Sequence, residues 1–179
     1  SQSPYAASKI SGDQLALSYH KSYNLAVTII RPFNTFGPRQ SARAIIPTII
    51  SQALKKDKIK LGSLITKRNF NYVDNTVDAF IAAIKSKKGI GEIINIGSDF
   101  ETSVEDLVKI VSKILNKKLI VKIDKKRIRP AKSEIFRLIA NNKKAKKLLN
   151  WKSKMKNKKY FEASIKKTLN WFRGNEGSN

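Results

Sequence analysis

Tyr5 and Lys9 stand four residues apart in Ser3-Pro4-Tyr5-Ala6-Ala7-Ser8-Lys9, a separation that sets a phenol and an ammonium on one face of a helix. A cation beside a phenol favours the phenolate, and a phenolate can act as general base toward an alcohol proton. The spacing also arises by chance on any long helix, so alone it points to an exposed surface pair rather than to catalysis. Arginine offers a second chemistry, because guanidinium forks match the oxygens of a diphosphate. Several of the eight arginines lie near expected loops and are available for it, although any one of them also fits a surface ion pair. Other candidates read as structural. His20 falls near a helix C-terminus, where an imidazole satisfies the dipole. Asp74 and Asp78 share a helix face, with Asp74 placed as an N-cap rather than as half of an acid/base pair. No His, Asp or Glu cluster has metal-ligand spacing, so no metal is expected.

The elements that must position these groups alternate between helix and strand, the pattern of an α/β fold. Ser3-Pro4 starts a helix expected to run to His20, since Ser caps and Pro loses no useful bond at the first position. Ala26 to Ile30 is a β-branched run short enough for a buried parallel strand. Residues 34–41 form a loop, 42–55 a helix, and 59–61 a strand ending on Gly62. Phe70 to Val73 is extended, and Asp74 opens a helix to Lys85 with Val77, Phe80, Ile81 and Ile84 on one apolar face. Strands at 92–96 and 119–123 flank a helix that Ser103 and Asp106 start as a capping-box pair. Short and long helices at 145–149 and 161–172 complete the core, with Trp151 and Trp171 as packing anchors.

Composition removes several function classes. The 179 residues contain no cysteine, which excludes disulfides, thiolate zinc sites and cysteine nucleophiles and fits a reducing cytoplasm. No apolar run is long enough to span a bilayer, and no secretory signal is visible. The formal net charge is +24, from 37 Lys+Arg against 13 Asp+Glu. Of those cations 29 are lysines, scattered over helices, loops and tail, with one aromatic, Trp151, in the densest cluster. Base readers use arginine forks and single-strand binders interleave aromatics, so this pattern is a solvated surface and no specific nucleic-acid partner is expected.

Four motifs occur in order: Ser3 to Lys9, Arg31-Pro32-Phe33-Asn34-Thr35-Phe36-Gly37-Pro38-Arg39, Arg68-Asn69-Phe70-Asn71-Tyr72-Val73-Asp74, and Asn95-Ile96-Gly97. Together they resemble the extended short-chain dehydrogenase/reductase family, within it the NAD-dependent nucleotide-sugar epimerases and 4,6-dehydratases. The resemblance runs from Ser3 to about Phe172. The stretches Arg39 to Thr48 and Arg127-Ile128-Arg129-Pro130 look most like 4,6-dehydratases acting on nucleotide-linked N-acetylglucosamine in legionaminic-type sugar synthesis.

The resemblance implies a Rossmann-type NAD-binding fold with a small α/β substrate lobe. It implies that Tyr5 is the catalytic base, that Lys9 tunes it and holds the nicotinamide ribose, and that Pro32 and Thr35 line the nicotinamide end. Asn34 would contact the substrate near its diphosphate, and the backbone amides around Ile45 and Ile46 would face the nucleotide. Arg43, Arg68, Asn95 and Arg129 would grip its phosphates, ribose or base. Residues 1–33 would then end the cofactor domain and 34–173 form mainly the substrate lobe, with 70–96 returning to the cofactor domain and 174–179 a frayed tail.

The implied reaction converts an NDP-sugar to its 4-keto-6-deoxy form; a 4-epimerase, a non-catalytic sugar-nucleotide-binding remnant and a basic nucleic-acid-associated protein are the alternatives. The family's glycine-rich turn, its Ser or Thr and the dehydratase acid pair all lie upstream of the tyrosine motif. The chain is therefore expected to be a C-terminal half, inactive by itself. Its relatives dimerise through a bundle that includes the Tyr5–Lys9 helix, and this chain alone is not expected to complete that bundle.

Overall fold

Ser3 opens the first helix as expected: its Oγ accepts the Ala6 N–H at 3.1 Å, and Pro4 stands at the first helical position. In the computed structural model, which describes residues 3–128 and 135–175, this helix, α1, spans Pro4–Tyr23 and stops at Asn24 in the left-handed conformation. It outruns the expected end at His20 by three residues, because Asn24 tolerates the positive φ that a helix stop requires. His20 lies inside the last turn, its Nδ1 2.7 Å from the Leu25 carbonyl, where it clips the helix to the chain that leaves it.

The following strand, β1, is Ile29–Pro32 rather than 26–30. Its partner decides the shift. β1 pairs in parallel with β6 (Ile93–Ile96), in register from Ile29 opposite Ile93 to Pro32 opposite Ile96. Upstream of β6 the chain is a 3₁₀ turn at Lys87–Gly89, so Ala26 to Thr28 stay outside the ladder, although the Gly91 N–H donates to the Val27 carbonyl at 2.7 Å. The loop expected at 34–41 contains a short strand, β2 (Thr35–Phe36), parallel to β5 (Asn71–Tyr72). Helix α2 is Ile45–Lys55, starting three residues later than expected. β3 (Lys58–Leu61) lies parallel to β8 (Ile120–Ile123), and β4 (Lys67–Arg68) sits between antiparallel β7 (Thr102–Ser103) and parallel β9 (Arg137–Leu138). The mixed α/β class with parallel pairing is as the sequence predicts.

Helices α4 (Val104–Leu115) and α6 (Lys158–Gly174) pack with α2 over β3, and their inner faces form the larger core around Phe36, Phe70, Leu107, Phe161 and Ile165. A smaller core joins β6 to α5 (Lys143–Leu149), Trp151 and helix α3 (Val73–Lys85). Trp151 is buried as expected, and Trp171 meets Phe172 edge-on.

Two expectations fail at α3. Tyr72, not Asp74, occupies the N-cap; Asp74 lies in the first turn, where its charge complements the helix dipole. The buried stripe is Asn75, Thr76, Ala79 and Ala83, whereas Val77, Phe80, Ile81 and Ile84 face outward, Ile84 at 85% exposure. Small residues on the inner stripe let the helix approach β1 and α5, and Asn75 and Thr76 enter a buried polar cluster; the apolar face across the helix is left at the surface. None of α1's residues is fully buried either. No helix among the described residues is long and apolar enough to cross a membrane.

Candidate functional site

Strand ends build the site. In parallel sheets the carboxyl ends of strands open onto a shared crevice where ligands bind. Here Asn34 follows β1 and precedes β2, Gly62 and Ser63 follow β3, and Arg127 follows β8 in a 3₁₀ turn at Lys125–Arg127. All of these line one cleft of about 490 Å³. Its floor is apolar, with Phe36, Leu61, Phe70 and Val104, and its rim carries Arg43, Arg68 and Arg127.

Each rim group has a local cause. Asn34 adopts φ 33°, a left-handed conformation that Asn accepts more readily than most residues. It is held there by its own Nδ2, which donates to the Asn69 carbonyl at 3.2 Å, and by the Asn71 N–H, which donates to its carbonyl at 3.2 Å. The Gly37–Gln40 turn is closed by the Gln40 N–H on the Gly37 carbonyl, and Gln40 Nε2 donates to the Thr35 carbonyl at 2.7 Å.

Ala44 caps α2 without a side-chain bond, so the first-turn N–H groups of Ile45 and Ile46 have neither an intrahelical partner nor a cap. Pro47 in the same turn has no N–H to leave unpaired. This helix start presents donors and a partial positive charge to the cleft, as an anion requires. Arg68 is half-buried, its Nη1 donating to the Lys67 carbonyl at 3.0 Å. Arg127 Nε lies 3.4 Å from Asp124 Oδ2. The Arg127 backbone rests directly on Gly62: a Cβ there would come within 2.7 Å of the Arg127 carbonyl oxygen. Only glycine lets the 3₁₀ turn sit low enough to bring that arginine to the rim.

The structure thus gathers Asn34, Arg43, Ile45, Ile46 and Arg68 at one cleft, and among the described residues Tyr5, Lys9, Pro32, Thr35 and Asn95 are not in its lining. Tyr5 and Lys9 lie on α1, both exposed, with Lys9 Nζ 5.6 Å from the centre of the Tyr5 ring. Pro32 ends β1, and Asn95 is half-buried on β6 opposite Arg31. Thr35 turns its hydroxyl toward Thr76, 3.1 Å away. Arg129 lies outside the described residues.

Sequence reading missed Arg127, Thr48, Ser63 and Thr66 in the lining. Only the Arg127-Ile128-Arg129-Pro130 motif hinted at the arginine, and its two arginines cannot be ranked without the turn that aims them. Below the floor, burial pushes the Tyr72 phenol above its ordinary range and Asp74 adds to the effect, so this second tyrosine stays neutral.

Comparison with known proteins bears on the same residues. The family model described as GDP-mannose 4,6-dehydratase matches residues 1–164. The chain belongs to that family. Among curated relatives, the human dTDP-D-glucose 4,6-dehydratase is 33% identical over 96% of this chain and 49% of its own length. The UDP-glucuronate 4-epimerase of Thermodesulfobacterium geofontis is 30% identical over 97% of this chain and 51% of its own length. A dTDP-glucose 4,6-dehydratase from Bacillus anthracis, solved in complex with NAD, superposes with a TM-score of 0.82 at 28% identity, covering 97% of this chain and 54% of that one. The α/β architecture is therefore the Rossmann-type fold of the epimerases and dehydratases. The chain spans about half the length of these relatives.

Proposed function

We propose that these residues form the nucleotide-sugar cleft and the Tyr–Lys pair of an NAD-dependent NDP-sugar 4,6-dehydratase. The observation that carries the reading is the convergence of Asn34, Arg43, Arg68, Arg127 and the open first turn of α2 on one cleft with an apolar floor. Arginine forks and helix amides suit a diphosphate, and the floor suits a ring. The finer assignment, a nucleotide-linked N-acetylglucosamine dehydratase of the legionaminic type, rests on the sequence motifs at residues 39–48 and 127–130. Residues 1–33 are assigned to the cofactor side and most of 34–173 to the substrate side.

The donor set on α1 suits the ribose end of NAD. Lys9 offers an ammonium with three N–H donors for a ribose diol, and Tyr5, at 72% exposure, presents its hydroxyl to an incoming alcohol. When bound, NAD supplies the hydride acceptor. Tyr5 Oη takes the proton of the 4-hydroxyl as general base, with Lys9 one turn along the same helix. Arg43, Arg68 and Arg127 hold the diphosphate, and Asn34 orients the sugar beside it.

A 4-epimerase shares each of these roles, and relatives of both kinds match the chain. The products separate the two: elimination removes water from the sugar, whereas epimerisation conserves its mass. A glycine-rich turn for the pyrophosphate is not among the 179 residues, and positioning by such groups can be worth roughly 7–11 kcal/mol in the transition state. The chain by itself is expected to bind nucleotide sugar without turning it over. The test is a 4-keto-sugar assay and product mass analysis, on the purified chain and on the chain completed with a glycine-rich dinucleotide-binding half. Turnover by the chain alone at micromolar NAD would overturn the inactivity, and product of unchanged mass from the completed enzyme would overturn the dehydratase.

A further inference from the structure

Behind Asn34 lies a group of buried polar side chains that apolar packing alone does not require. Asn71, Asn75, Thr76 and Ser153 are all buried. Asn75 Nδ2 donates to Asn71 Oδ1 and, at 3.2 Å, to Ser153 Oγ. Asn71 Nδ2 donates to Thr76 Oγ1 at 2.8 Å, and Thr76 Oγ1 meets Thr35 Oγ1 at 3.1 Å. The Lys154 N–H donates to Asn75 Oδ1 at 2.9 Å, which anchors the far end to the 153–155 segment. None of the buried side-chain atoms in this group lacks a partner.

Such a group is costly unless satisfied, and once satisfied it fixes geometry. What it fixes here is β2. The β2–β5 ladder is only two residues long on each strand, so backbone bonds alone hold it weakly. Thr35, the first residue of β2, is pinned through Thr76 to the first turn of α3 and to β5. Asn34, the next residue back, sits at φ 33° on the cleft rim.

We infer that Thr76, which is not part of the cleft lining, is a positioning residue that sets Asn34 in the cleft through its hydroxyl bond to Thr35. This rests on the reading of the cleft as a nucleotide-sugar site. Thr76→Val keeps the shape and removes the hydroxyl; Thr76→Ser keeps the hydroxyl. Thr168→Val is the matched control, because Thr168 is buried in α6 and donates to the Ser164 carbonyl at 2.9 Å outside the cleft lining.

The experiment is calorimetric titration of the 179-residue chain with UDP-glucose and with dTDP-glucose, alongside thermal unfolding of each variant. Thr76→Val is expected to weaken binding about three- to tenfold, the effect of one net hydrogen bond. Thr76→Ser and Thr168→Val should stay within about twofold of wild type, the latter despite losing a buried bond. Unchanged affinity in Thr76→Val beside a lowered melting temperature would make the group purely structural and overturn the inference. Equal losses of affinity in Thr76→Val and Thr168→Val would overturn it as well. If Thr76→Val does not fold, Thr35→Val breaks the same bond from the other side and has to show the same loss. Failure of the wild-type chain to bind either nucleotide sugar would instead overturn the reading of the cleft, and the positioning role with it.

Discussion

Among single residues, the proposed function gives Arg68 and Tyr5 separable roles. Arg68 lies half-buried at the cleft rim, where contacts to a ligand would be only partly screened. Arg68→Ala is expected to weaken nucleotide-sugar binding by about 1.5–3 kcal/mol, the range for hydrogen bonds to a charged group. Arg68→Lys should recover only part of that, since an ammonium cannot fork. Calorimetry on both variants decides it, and unchanged affinity would reduce Arg68 to a surface residue. Tyr5 stands outside the cleft lining. Tyr5→Phe should therefore leave nucleotide-sugar affinity within about twofold while lowering kcat at least about 100-fold in any turning-over preparation. A variant keeping a tenth of wild-type turnover would remove Tyr5 from the mechanism. At this scale the sequence was informative where chemistry depends on local spacing, as with Tyr5 and Lys9 on one helix. It was uninformative where a side chain is aimed by a distant backbone. Arg127 reaches the rim because Gly62, 65 positions earlier in the chain, lets its turn sit close.

The secondary-structure elements followed local signals well and partner-dependent signals poorly. The α4 start resembles a capping box: the Asp106 N–H donates to Ser103 Oγ at 3.0 Å, and Ser103 Oγ, rather than the Ser103 N–H, donates back to Asp106 Oδ2 at 2.7 Å. That Ser103 hydroxyl, aided by Lys109, holds the Asp106 carboxyl below its usual range against the opposing effect of burial. A carboxyl lowered in the folded state contributes stability above its unfolded value, about pH 4, and loses it as pH falls through the folded value. Asp106→Asn should thus be destabilised at pH 7, and its gap from wild type should narrow at about pH 3. Urea midpoints at the two pH values check this; an equal gap at both would contradict it. Gly91 is the corresponding backbone case. It carries φ 77°, and a Cβ there would lie 2.7 Å from His20 Nε2. Gly91→Ala should cost at least about 1–2 kcal/mol in the same measurement. By contrast, β1 began three residues late because β6 sets its ladder, and α3 turned its small and polar stripe inward. Hydrophobic periodicity identifies an apolar face but not which neighbour covers it.

The molecule as a whole carries +24 charges, enough to attract any polyanion at low salt. What distinguishes the proposed site from that background is geometry. Its arginines and α2 amides converge on one cleft, whereas the lysines are spread over the surface. The two-core organisation, with the larger core under the cleft and the smaller beside β6 and α3, was legible only as an alternation of helices and strands. Which strand ends meet is a property of the assembled sheets. The most direct test is therefore titration of the 179-residue chain with UDP-glucose and dTDP-glucose as salt is raised from roughly 0.05 to 0.3 M. The site described here predicts saturable binding of one nucleotide sugar per chain with a shallow salt dependence, unaffected by competing heparin at the upper salt. Heats that disappear steeply with salt, or that heparin abolishes there, would contradict it and leave only a basic surface.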